Sequence, residues 1–338
     1  MKITLFAYSK KGIETARRIM AATEDEYGAF TVERLAGGEF LPLPKPAAFV
    51  YKVAFAASDA LVFVSSCGIA VRSIAPYVKS KMEDPAVIVT DETGRFVISL
   101  LSGHIGGANA LAEKVAAAIG AASVVTTATD ANGRFSVDAW AKSNGFAIDD
   151  MQAAKAVSAA ILEADVPLAS IFPILDGLPS GTVSGKKGYV GILLSYKKEE
   201  PFQTTLRLIP KCLSVGIGCR RGTSEEAIAH AIKQVLDDNN LDARAVSCAA
   251  SIDLKKDEAG LISYCEDAGI PLRFYSAEQL NAVEGEFTAS EFVKKTTGVD
   301  NVCERAAMIG AEELIVKKTE ADGVTVAVAV KKTEVRFE

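Results

Sequence analysis

Apolar and polar positions change period often enough along the chain to outline a series of short, alternating elements. Residues 3–8 form an apolar run that predicts a strand, and the polar turn 9–12 leads into a 3.6-period stretch to about residue 22 that predicts a helix. A second apolar run, 60–65, gives way at Cys67-Gly68 to a helical stretch over 69–77. Residues 86–90 and 96–101 predict two more strands, and Asp91-Glu92-Thr93-Gly94 between them reads as a hairpin in an otherwise parallel sheet. An Ala-rich amphipathic run over 110–119 predicts a helix, and 123–127 returns to strand. Such alternation implies an α/β domain over residues 1–131. Doubly wound sheets bind ligands at strand ends, so loops 65–68, 102–109 and 126–130 are expected to converge on one edge.

The pattern then changes. Helical stretches over 136–144 and 151–164 lead to a Gly- and Pro-rich loop, 172–188, and one apolar strand, 189–195. Residues 132–210 therefore read as a small middle domain or connector, with Lys186-Lys187 a solvated pair in its loop. From residue 211 strands and helices alternate again. Thr223 and Glu226 predict a capping box for a helix reaching about residue 236, and 313–318 with 323–330 predict a closing hairpin. The expected fold class is α/β: two α/β sandwich domains with mostly parallel sheets, 1–131 and 211–338, joined by the smaller 132–210.

Two glycine loops carry the candidate chemistry. Ser102-Gly103-His104-Ile105-Gly106-Gly107-Ala108-Asn109 joins an apolar strand to a helix and holds one of only two histidines in the chain. Glycines there permit positive φ and close approach to bare backbone, and N–H groups at a helix start favour an anion. The second loop, Gly216-Ile217-Gly218-Cys219-Arg220-Arg221-Gly222, supplies two planar cations suited to carboxylates. Its G-x-G-x-x-x-G spacing departs by one residue from the dinucleotide fingerprint, and Asp237 and Asp238 fall at a helix end instead of a strand end. Serine-hydrolase, zinc-protease and phosphate-loop signatures are absent. His230 lies inside a helix and reads as structural. What remains is acid–base chemistry by His104 with Asp91, Glu92 or Asp130, among the hydroxyls of Ser102, Thr126, Thr127 and Thr129 and near Arg72.

Composition narrows the class further. The 338 residues are 49% hydrophobic and 24% charged, an ordinary globular balance for two or three domains. With 37 basic against 43 acidic residues, and no Lys/Arg run longer than a pair, nothing marks a nucleic-acid binder. Six scattered cysteines without a C-x-x-C pair, and an N-terminus that enters a strand directly, lead to the expectation of a cytoplasmic protein. No apolar run approaches the roughly 20 residues of a membrane span.

Nine segments together carry a resemblance: Gly68-Ile69-Ala70-Val71-Arg72, Asp84-Pro85-Ala86-Val87, 100–109, Thr126-Thr127-Ala128-Thr129-Asp130, 216–222, Ser251-Ile252-Asp253-Leu254-Lys255, Ser290-Glu291-Phe292-Val293, Asn301-Val302-Cys303-Glu304-Arg305-Ala306-Ala307 and Gly323-Val324-Thr325-Val326-Ala327. In that order they resemble the cobalt-precorrin-5A hydrolases of anaerobic cobalamin biosynthesis, along essentially the whole chain, and the C-terminal region resembles a small stand-alone protein of the aerobic route. The resemblance implies opening of the δ-lactone of cobalt-precorrin-5A and release of acetaldehyde to give cobalt-precorrin-5B. It also implies that cobalt arrives with the substrate and that the protein binds no cofactor of its own. A tetrapyrrole with many carboxylate arms calls for several carboxylate receptors. Combining the two readings, His104 is the expected acid–base group, Asp130 orients it or a water, and N–H groups of Gly106 and Gly107 meet the oxyanion or an arm. Gly68, Arg72, Ser102, Gly103, Asn109, Thr127, Thr129, Gly218, Arg220 and Arg221 are the other expected substrate contacts, with no metal site. The partner is a small-molecule tetrapyrrole, without nucleic acid or membrane, and a homodimer is left open. A corrinoid-binding protein without activity, and a nucleotide-dependent reductase or transferase, are the alternatives.

Overall fold

Seven strands make the first sheet: β1 Lys2–Ala7, β2 Glu26–Val32, β3 Phe40–Leu43, β4 Ala60–Val64, β5 Ala86–Thr90, β6 Phe96–Leu101 and β7 Ala122–Val124, in the order β3-β2-β1-β4-β5-β6-β7. The computed structural model describes residues 1–80 and 83–337. Every residue of β4 and β5 is buried, because helices cover both faces of a parallel sheet. Alternation along β1 sends Ile3, Leu5 and Ala7 toward helices Lys10–Ala22 and Ala108–Ile119, and Phe6 toward helices Ala48–Ala57 and Cys67–Ile74. Ser9 starts the first helix by accepting the Gly12 N–H at 3.0 Å. β2, β3 and helix Ala48–Ala57 occupy a stretch from which the apolar pattern yields no element.

The predicted hairpin forms, and it determines where the loops lie. β5 and β6 are antiparallel, with Val87 opposite Leu101 and Thr90 opposite Val97, while β7 runs parallel to β6. The carboxyl ends of β6 and β7 therefore lie at the amino-terminal edge of β1, β4 and β5. Loops 102–109 and 126–130 share that edge. Loop 65–68, after β4, is at the opposite one, so the expected convergence of all three loops does not occur. Gly68 and Arg72, in the helix that follows β4, are placed away from His104 for the same reason.

The chain divides into two units, Met1–Trp140 and Ala141–Glu338. The second holds two five-stranded sheets. β8 Ala147–Ile148, β9 Val166–Ser170, β10 Thr182–Ser184, β11 Val190–Leu194 and β12 Thr204–Ile209 run in the order β10-β9-β11-β12-β8, parallel except for β8. Only β11 is plain in the sequence. β9 contains Pro167, and β12 contains Arg207, whose charge reads as exposed although the residue is buried. Its Nε donates to Asp149 Oδ2 at 2.9 Å and its guanidinium to Asp242 Oδ2 at 3.0 Å, and this pairing is what makes a buried cation tolerable.

β13 Leu213–Cys219, β14 Val246–Ile252, β15 Leu272–Tyr275, β16 Glu313–Ala321 and β17 Val324–Val330 form the last sheet, ordered β15-β14-β13-β17-β16, with the closing hairpin as expected. Helix Glu225–Asp238 starts one residue later than its sequence signal. Ser224 is the cap and accepts the Ala227 N–H, whereas the Thr223 hydroxyl turns back to the Arg220 carbonyl at 2.8 Å. The architecture is thus α/β with mostly parallel sheets. No described helix is long and apolar enough to cross a membrane.

Candidate active site and cationic cavity

In the first unit His104 is the centre of a dense polar cluster. Its Nε2 lies 2.8 Å from Asp130 Oδ2 and 3.2 Å from the hydroxyls of Thr129 and Ser136, and its Nδ1 lies 3.3 Å from Asp138 Oδ1. The Asn109 amide donates to Thr127 Oγ1 at 3.0 Å and to Asp130 Oδ2 at 2.9 Å, and its carbonyl accepts from Ser99 at 2.6 Å. Thr127 also donates to Asp130. His104 side-chain exposure is 20% and that of Asp130 is 38%, whereas Asp138 is buried at 5%, so solvent reaches the cluster from the Asp130 side.

Carboxylates at both ring nitrogens favour the doubly protonated imidazolium. The Asp138 carboxylate, opposed by burial and joined by Asp130, raises the imidazole above its ordinary 6.5. Burial pushes Asp130 upward, but the hydrogen bonds from Thr127, His104 and Asn109, with the imidazolium charge, hold it below the ordinary carboxylate value. The arrangement is a charged proton donor paired with a partly exposed carboxylate.

Several of the residues expected to contact substrate also frame this cluster. A Cβ on Gly103 would sit 2.6 Å from Asn109 Oδ1, and one on Gly106 would sit 2.2 Å from Ser102 Cβ, so both glycines permit the loop to fold tightly on itself. Ser102 has φ of 57°, and its hydroxyl is buried without a hydrogen-bond partner among the described residues, away from any ligand in solvent. Gly107 begins helix Ala108–Ile119 with φ of 87°. Its N–H donates to the His104 carbonyl at 2.9 Å, and the Ala108 and Asn109 N–H groups donate to Ser102 and Gly103. That helix start is therefore closed by its own loop, and the Gly107 N–H is not available to an oxyanion. Asp91 is likewise occupied: its carboxylate accepts the N–H groups of Thr93, Arg95 and Phe96 in the hairpin turn.

Asp138 and Ser136 escape the sequence reading. They lie 32 or more residues from His104, in the turn and start of helix Val137–Ser143, a stretch that the sequence assigns to the connector. The acidic residue in that first turn is a signal, but helix starts favour acidic residues anyway.

In the second unit Gly218, Arg220 and Arg221 line a cavity of about 540 Å³ together with Lys255, Phe292 and Lys318. Five of the segments that carry the resemblance meet there, around 216–222, 251–255, 290–293, 301–307 and 323–327. The loop glycines serve packing. A Cβ on Gly216 would lie 1.8 Å from the Cys303 carbonyl oxygen, and one on Gly218 would lie 2.5 Å from Thr325 Oγ1. They let helix Val302–Met308 and β17 sit directly on β13, a use unrelated to a pyrophosphate and contrary to the nucleotide alternative. Cys219 and Cys303 also line the cavity, and burial pushes both thiols up, Cys303 to about 11, so neither is a ready thiolate nucleophile. His230 is exposed on its helix, with Nδ1 2.7 Å from Asp322 Oδ2. No three His, Cys, Asp or Glu side chains gather as a metal site among the described residues.

Comparison with known proteins agrees with both domains. Residues 50–130 match the family model for the cobalamin synthesis G N-terminal region, and 213–329 match that for the cobalamin synthesis G C-terminus. A cobalt-precorrin-5A hydrolase of Priestia megaterium is 35% identical over 303 residues, covering 81% of this chain and 79% of that protein. Protein CobE of a Sinorhizobium species is 31% identical over 121 residues, 35% of this chain and 79% of its own length. The cobalt-precorrin-5A hydrolase of Salmonella typhimurium is 33% identical over 350 residues, 97% of each chain. A likeness sustained from end to end is one of family, and the chain belongs to the cobalt-precorrin-5A hydrolases of cobalamin synthesis.

Proposed function

We propose that the chain hydrolyses cobalt-precorrin-5A, opening its δ-lactone and releasing acetaldehyde to leave cobalt-precorrin-5B, with the His104 cluster as the acid–base centre. The observation that supports these roles is the single imidazole held between Asp130 and Asp138, on a chain 33% identical to the Salmonella hydrolase along nearly its whole length.

The chemistry has two stages. Water adds to the lactone carbonyl, the tetrahedral oxyanion collapses, and the ring C–O bond breaks to leave a carboxylate and a hydroxyl-bearing two-carbon arm. The hydroxyl then loses its proton, the bond from that carbon to the macrocycle breaks with its electron pair passing into the ring, and the ring carbon gains a proton. One water is consumed and one acetaldehyde leaves. Each stage needs a group that takes a proton and a group that gives one. In this reading Asp130, on the solvent side, takes the proton from water or hydroxyl, and charged His104 behind it returns one to the alkoxide and later to the ring carbon. The Gly106 N–H is the proposed oxyanion donor. Thr127, Thr129 and Asn109 keep Asp130 and the imidazole aligned.

The cobalt belongs to the substrate in this proposal, and the protein contributes no resident cofactor. A cytoplasmic setting, with one or two copies of the chain, completes the reading. The test is acetaldehyde release from cobalt-precorrin-5A by wild type and by His104→Ala. Loss of about 100- to 10,000-fold is expected for a positioned acid–base group. Full turnover by the variant removes His104 from the mechanism, and binding without acetaldehyde from wild type replaces the hydrolase with a binding protein.

A further inference from the structure

The cavity of the second unit has a charge pattern that the acid–base reading does not use. Arg220, Arg221, Lys255 and Lys318 line it against the single carboxylate of Glu320. Lys255 is 3.3 Å from Glu258 Oε1, whose other oxygen accepts the Gly222 N–H at 2.9 Å, so this ammonium is braced in place. Arg221 touches the same Glu258 only at 4.0 Å, with its side chain 88% exposed. Arg220 and Lys318 form no ion pair among the described residues. The polar groups of the wall are already committed: the Ser251 hydroxyl donates to the Ile217 carbonyl, and the Asn301 amide both caps helix Val302–Met308 and donates to the Thr288 carbonyl. The cations are thus what the cavity offers to a ligand. Like charges around a concave, low-dielectric wall repel one another and focus their field on an anion.

At the rim stands Phe292, 80% exposed on helix Glu291–Thr297. An exposed aromatic ring beside four cations suits a ligand with a flat apolar face and several anionic arms. Size limits how much of it enters. A space of about 540 Å³ suits a drug-sized molecule, and a macrocycle with all its arms exceeds that.

We propose that this cavity is a carboxylate-recognition subsite that grips one edge of a polycarboxylate tetrapyrrole, arms inside and ring face against Phe292. The inference rests on the reading that the substrate is such a macrocycle, and it assigns Lys255, Lys318 and Phe292 to ground-state binding. Binding made equally in ground and transition states appears in KM and not in kcat.

The probe is uroporphyrin, an unreactive tetrapyrrole with eight carboxylates, titrated into the full chain and followed by its absorbance band. Wild type binds it, and the Arg220→Ala/Lys318→Ala double variant raises Kd at least tenfold. Phe292→Ala raises Kd several-fold and removes the band shift that ring contact produces. Lys318→Arg retains binding, and His104→Ala binds as wild type does. Thermal melts of each variant separate misfolding from lost contacts. With cobalt-precorrin-5A the double variant raises KM and leaves kcat within about twofold. An unchanged Kd and KM in a folded double variant overturns the subsite, as does tighter binding of a nicotinamide nucleotide at these residues. Uroporphyrin binding without acetaldehyde release from the natural substrate instead defeats the hydrolase reading and leaves the subsite standing.

Discussion

The loops 102–109 and 216–222 both carry a β-strand into a helical region through closely spaced glycines, yet their glycines make room for different things. In the first, Gly103 and Gly106 make room for Asn109 and Ser102 of the same loop, and the tight fold presents His104 to Asp130. In the second, Gly216 makes room for the backbone of a distant helix and Gly218 for Thr325, and the loop presents two arginines at a cavity. A glycine loop therefore says only that something approaches the backbone. What approaches decides whether the result is a histidine–carboxylate cluster or the wall of a cationic cavity.

The largest break in this comparison comes from Gly216→Ala. Its new methyl meets a carbonyl oxygen in a packed helix, and overpacking against backbone costs about 3 kcal/mol or more. Urea unfolding of the second unit reads it, and a stability near wild type would show that helix Val302–Met308 yields easily.

Asp138→Asn probes the other loop. A group whose folded pKa is raised contributes stability that is complete below its unfolded value near 6.5 and is lost as pH rises through the folded value. Removing the carboxylate lowers the pH at which His104 loses its proton. The variant should therefore lose activity chiefly on the alkaline side, where wild type still holds the proton and the variant does not, with much less effect below the ordinary imidazole value of 6.5. A uniform loss across the profile would make Asp138 merely structural.

Gly107→Ala and Gly222→Ala give a smaller and equal effect. Each has positive φ, 87° and 74°, and nothing within 4 Å of the added carbon, so strain of about 1–2 kcal/mol is all that either should show. A much larger loss at Gly107 would mark crowding around the His104 loop. The smallest effect is expected for Arg72→Ala. Arg72 lies at the opposite sheet edge from His104, and turnover should change less than about twofold, within the small effects usual for exposed sites. A tenfold fall would place substrate at that edge after all.

The elements that packing alone defines are the ones the sequence conveys poorly. β9 carries Pro167 one residue before its pairing with β11 begins at Leu168, where a missing ladder donor costs least, and β12 carries Arg207, tolerated because Asp149 and Asp242 close on it. The hairpin at 91–94 is legible, and it already reverses β6. The converging edge expected for three loops overlooked that reversal, since ligand sites follow the carboxyl end of each strand and not the sheet's majority direction.

By itself the sequence determined the α/β alternation, the two glycine loops and the histidine within one of them, and it offered Asp130 among three candidate carboxylates, because periodicity, turn chemistry and motif order are local. The tertiary structure alone decided that Asp130 and Asp138 close on the two sides of the imidazole, that Asn109 and Ser102 frame the loop around it, and that five separate segments line one cationic cavity. Those facts depend on contacts between residues far apart in the chain, and no local pattern records which carboxylate a folded backbone will bring to a given ring nitrogen.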